Sequence, residues 1–154
     1  MAPMNLLGIA RHGIGIAGPP PVAVAIARGL ALEIVATADP AALAIQAGGS
    51  DGEAAWLTTL PGRLRHAPLP PGIVFALRVT NGASTVGSLL VAEREADLGE
   101  RPGVVVRVGL ESAELDRRDG SPSVGVVPRF VGLEAARVGA VRLAALAQGA
   151  ATVT

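Results

Sequence analysis

From Val22 to Ile34 the larger apolar side chains sit on even positions (Val22, Val24, Ile26, Leu30, Leu32, Ile34), while the odd positions are mostly alanine, with Gly29 and Glu33. That two-residue period belongs to a half-buried strand. The segment therefore reads as one strand with a bulge at Arg28-Gly29, or as a hairpin bending near Gly29. Asp39-Pro40 marks a turn, Ala41 to Ala47 a further short strand, and Gly48-Gly49-Ser50-Asp51-Gly52 a loop. Around Trp56, Glu53 to Leu60 fits a short helix or a strand. Pro61-Gly62 and the prolines at 68, 70 and 71 frame an extended connector.

Ile73 to Thr80 alternates well, Asn81-Gly82 follows, and Ser84 to Ala92 resumes the pattern, which together make a hairpin signal. Glu93 to Arg101 reads as a solvated loop or short helical turn. Pro102-Gly103 opens another alternating strand, Val104 to Leu110. A charged loop, Asp116 to Ser123, precedes Val124 to Val131, where Pro128 argues for an edge or a bulge. Leu133 to Gln148 has no proline and is rich in Ala, Leu and Arg, so a helix is expected there, with Gly149 as its stop. Val138, Gly139 and Val141 weigh against that helix, and the tail from Ala150 to Thr154 has β-type residues.

These segments predict a mainly β protein: one β-rich domain over residues 1–154, an antiparallel sandwich or barrel of about six to nine short strands with one possible C-terminal helix. The alternative is an α+β layout.

Composition adds a partner to this picture. Of 154 residues half are apolar, the aromatics are Trp56, Phe75 and Phe130 alone, and there is no cysteine. Small apolar side chains in such excess predict surface buried against other subunits. Thirteen basic residues, all arginine, balance thirteen acids, so no global field points to nucleic acid or anionic lipid. The apolar runs are broken by charged residues, Pro or Gly before the length of a membrane helix, so no membrane span is expected. The first residues lack the basic and apolar segments of a secretory signal, which predicts cytoplasmic synthesis. Without cysteine there is no disulfide, thiolate catalysis or thiolate zinc site.

Four groupings could carry chemistry. Gly13, Gly15 and Gly18, after the apolar segment Leu6 to Ala10, have the glycine spacing of a dinucleotide-binding turn, with Asp39 at the distance of a ribose-binding acid. Pro19-Pro20-Pro21 stands where the phosphate-binding helix would begin. Arg11-His12-Gly13 resembles the opening motif of the histidine phosphatase family, which implies a phosphorylated His12. The family's later histidine would have to be His66, in Arg65-His66-Ala67-Pro68. Glu111, Glu114, Asp116 and Asp119 cluster in sequence, and Asp116 to Gly120 is similar to oxygen-rich calcium loops, but Arg117 and Arg118 occupy the intervening positions. Arg63, Arg65 and His66 form a local basic knot suited to an interface or an anion, with no interleaved aromatic for base stacking. No Gly-x-Ser-x-Gly elbow surrounds Ser84 or Ser88.

The expected function is a non-enzymatic structural subunit that assembles with itself and other subunits, of the kind found as small phage or virion components (decoration, spike-base or head-tail connector), with no cofactor and no metal. Its localisation would then be the virion, and otherwise cytoplasmic. The alternative is a small nucleotide- or cofactor-binding enzyme using the Gly13 to Gly18 turn. A third reading is a ligand-binding barrel in which Arg78 or Arg107 meets a polar group.

Overall fold

In the computed structural model, which describes residues 2–3, 7–109 and 112–152, the protein is β-rich with a C-terminal helix. Nine strands form one mixed sheet: β1 (Ala2–Pro3), β2 (Ile14–Ala17), β3 (Leu43–Gly48), β4 (Arg63–His66), β5 (Ile73–Asn81), β6 (Ser84–Ala92), β7 (Val104–Val108), β8 (Ala113–Asp116) and β9 (Val124–Val127). Their order is β1-β9-β8-β7-β2-β6-β5-β3-β4. β2 lies at the centre, parallel to both β6 and β7. The helices are α1 (Pro20–Thr37), α2 (Asp51–Leu57) and α3 (Leu133–Thr152). The strands thus build a mainly β protein with some α, as expected, arranged as one open mixed sheet with the α-helices gathered on one face in place of two facing sheets or a closed barrel.

The hairpin is where it was read. β5 and β6 pair antiparallel from Ile73↔Ala92 to Asn81↔Ser84, leaving Gly82 and Ala83 as the tip. Asn81 is held by two hydrogen bonds with the backbone of Asp39, each 2.9 Å. The hairpin tip and the turn after α1 therefore fix each other.

Residues 22–34 are helical, not a strand. The even positions are large and the odd ones small, but nearly all are apolar, so the alternation is one of size, not of polarity. Alanine is the best helix former, and a helix apolar all round is stable when covered on several sides. Ala23, Ala27, Leu30 and Ile34 bury against the sheet, while Leu32, on the far side, meets α3 at Gly139. The prolines also fit: Pro19 is the N-cap and Pro20 and Pro21 open the first turn, where a missing N–H breaks no helical bond. By length and composition α1 could cross a membrane; here it is the central core helix. Nor does Gly149 stop α3, which runs on through residues 150–152; Val153 and Thr154 lie outside the described residues.

Two apolar clusters hold the sheet. The larger lies under the helices and includes Ile14, Ile16, Phe75, Leu89, Val91 and Val106. On the other face a smaller one joins Ala17, Ile73, Ala92 and Val105 to Leu98, from a short 3-10 helix, Glu95–Leu98, in the crossover from β6 to β7.

Candidate interaction surfaces

The three candidate glycines do not form a phosphate-binding turn. Gly13 precedes β2 with φ +88°, Gly15 lies within the strand, and Gly18 ends it with φ +155°. Packing explains each. A Cβ on Gly15 would come within 2.7 Å of Pro102 Cγ and 2.9 Å of Leu98 Cδ1, and one on Gly18 within 2.6 Å of the Val108 carbonyl oxygen. The end of β2 is thus closed against β7. A helix N-terminus attracts anions through its free N–H groups, but Pro19, Pro20 and Pro21 have none, and the amides of Val22 and Ala23 both donate to the Pro19 carbonyl.

His12 and His66 stay far apart. His12 ends a 3-10 helix (Leu7–His12) just before β2 begins, whereas His66 ends β4 at the sheet edge. Register runs from Ile14 through Leu89, Leu77 and Ala47 to His66, so the two histidines lie at a similar level along the strands but four strand spacings apart, about 19 Å.

The basic knot is an edge feature. β4 pairs with β3 in the order Arg63↔Ala44, Leu64↔Ile45, Arg65↔Gln46, His66↔Ala47. Leu64 packs against the main core, so Arg63 and Arg65 project from the helix-free face. Register adds Arg78: Gln46 is flanked by Arg65 on one side and Arg78 on the other. None of these three arginines belongs to an ion pair among the described residues; Arg78 reaches Thr85 Oγ1 at 3.4 Å. Charges on an open edge discourage unwanted strand pairing. The open sheet has no lumen, so Arg78 and Arg107 face no enclosed ligand site.

Arg107 has carboxylate partners. Its guanidinium donates to both oxygens of Glu95 and, at 2.6 Å, to Asp116 Oδ2. The Glu95 carboxyl is held below its ordinary value chiefly by the Arg107 hydrogen bonds. Asp116 is lowered first by the Arg118 backbone N–H and then by Arg107, and Arg107 is raised in turn, first by Glu95. Arg118, at φ +57°, reaches the carbonyls of Gly99 and Pro102 at 2.7 and 3.2 Å. The result is a clasp tying the crossover to β7 and β8. Among the candidate calcium ligands Asp116 is thereby engaged, Asp119 accepts from Ser121, and Glu111 lies outside the described residues. No group of metal-ligating side chains occurs among the described residues.

Sequence reasoning missed a second, buried network. Glu53 on α2, 3% exposed, accepts from Arg28 Nε and Nη2 at 2.8 and 2.9 Å and from Trp56 Nε1 at 3.1 Å. Arg28 also donates to the Val131 carbonyl at 3.1 Å, and Trp56 stacks on Phe75, centroids 6.3 Å apart. Only Glu53-x-x-Trp56, an i, i+3 pair on a helix, was visible in the sequence. No buried side-chain nitrogen or oxygen among the described residues lacks a partner, so the network is a brace between α1, α2 and the segment before α3.

The remaining feature is apolar and exposed. Among the described residues the large apolar side chains exposed by 44–64% are Val124 and Val127 on β9, Phe130 in the following connector, and Leu133, Val138, Val141 and Leu146 on α3. All fall within residues 124–146. Elsewhere the described surface carries its apolar groups singly or half-covered. A cavity of about 40 Å³ beside α1, lined by Ile26, Gly29, Leu30, Glu33 and Arg129, is far below the size of ordinary ligand sites.

Comparison with protein-family models, curated proteins and solved structures finds no match to this chain.

Proposed function

We infer that the protein is a non-enzymatic subunit that works by associating with further copies of itself. The observation that carries this reading is that, among the described residues, the exposed large apolar side chains all lie on β9, its connector and α3. Scattered exposed apolar residues need no explanation, but Val138 and Val141, neighbours on one side of α3, are open to solvent together, as at a contact surface. The neighbouring chemistry supports the same reading: the Arg28–Glu53 and Arg107 networks are internally paired, and the glycines around β2 serve packing. The virion setting expected from the sequence finds no support of its own in the fold.

Light scattering on the eluting protein over a wide concentration range, with and without NAD or ATP, tests the reading. A discrete oligomer indifferent to nucleotide is expected. A monomer at high concentration would overturn it, and a mass or stability that responds to nucleotide would favour the enzyme instead.

A further inference from the structure

Helix α3 has two apolar sides. Ala136 and Ala140 are buried and Leu143 packs against the core, placing that side on α1 and α2. Positions 134, 138, 141 and 145 recur at intervals of four and three, the spacing of a single helix stripe. The opposite side of α3 thus presents Val138, Val141 and Ala145 to solvent, flanked by Ala135 and Arg142.

The charges on this helix are few and arranged about Val138. Glu134, the one acid of α3, lies four residues before it and Arg142 lies four residues after it. Glu134 bonds Arg137 along the helix at 3.0 and 2.5 Å. Arg142 has no ion pair among the described residues. Two such helices laid antiparallel, with Val138 on the twofold axis, bring Glu134 of each to the level of Arg142 of the other, and Val141 to the level of Ala135. A parallel alignment would instead set Glu134 against Glu134 and Arg142 against Arg142. Like charges across an interface are costly and opposite charges fix its orientation.

We propose that the chain forms an isologous dimer through the outer face of α3, the two helices antiparallel and centred on Val138. This rests on the self-association reading above and adds its geometry. A twofold contact must be complementary to itself, and the charge order of Glu134, Val138 and Arg142 has that property. The small side chains at 135, 141 and 145 suit helix axes about 8–10 Å apart.

Charge reversal tests the pairing. Glu134→Arg and Arg142→Glu should each weaken the dimer about tenfold or more, since each places two like-charge pairs across the axis, and the double variant should regain the original affinity. Because the chain has no cysteine, Val138→Cys gives an independent readout: it should form a disulfide-linked dimer under mild oxidation, while Ala55→Cys on α2 should not. Circular dichroism checks that each variant is folded. If the protein self-associates but the reversals have no effect, the double variant stays weak, or Val138→Cys does not cross-link, this geometry is overturned and the broader reading stands. A wild-type protein monomeric at all concentrations overturns both.

Discussion

Helices α1 and α3 are built from much the same residues, alanine, valine, leucine and glycine with a few charges, yet their surroundings differ. α1 lies between the sheet and α3. Its charges are both partnered, Arg28 by Glu53 and Glu33 by Arg129, and its apolar surface is largely covered. α3 rests on α1 and α2 by a narrow strip around Ala136 and Ala140, and its other apolar side faces solvent. An amphipathic helix would place polar residues there. The difference shows that apolar residues on both sides of a helix mean layers on both sides: α1 has both in the folded chain, and α3 lacks one.

The sharpest way to break the comparison is to place the same charge in both helices. Ile26→Asp puts an unpaired carboxylate where the side chain is fully buried and should cost more than about 4 kcal/mol, enough to abolish cooperative thermal unfolding. Val138→Asp should leave the isolated chain within about 1 kcal/mol of wild type while abolishing self-association. Equal destabilisation by the two would show that α3 is a core helix like α1.

Next in size is the brace between the helices. Arg28→Ala leaves Glu53 buried without its cation, and denaturant unfolding should show a loss of roughly 3–5 kcal/mol. Replacing the pair together should cost less than Arg28→Ala alone, since the penalty comes mainly from the orphaned charge. A near-neutral single variant would mean that water reaches Glu53.

The smallest effect belongs to the exposed clasp. Glu95 and Asp116 are held below their ordinary values of 4.5 and 3.8. A depressed carboxyl contributes stability that is complete above its ordinary value and is lost as pH falls through the lowered one. Arg107→Gln should therefore lower Tm modestly at neutral pH, and the gap from wild type should close at acid pH. A gap that persists in acid would assign the clasp's effect to packing, not to charge.

Legibility from sequence followed how local the cause was. The β5–β6 hairpin was readable because Asn81-Gly82 and the flanking alternation lie within a few residues. α1 was misread because its coverage on two sides is a tertiary fact, and a size alternation imitated a strand. Val138, Gly139 and Val141 counted against α3 by propensity. In the fold Gly139 faces Leu32 of α1 while the valines form the outer side, so the residues that weakened the helix prediction are those that give it two contact faces. The Arg28–Glu53 pair joins elements twenty-five residues apart, and nothing short of the fold could bring them together. For the basic knot, sequence supplied Arg63 and Arg65, and register alone added Arg78.

Sedimentation equilibrium of the wild-type chain beside Val138→Asp tests the central claim most directly. Wild type should have twice the chain mass and the variant one chain mass, with the same circular dichroism spectrum. Equal masses for the two, whether both dimeric or both monomeric, would contradict the assignment of the outer face of α3 as the contact between copies.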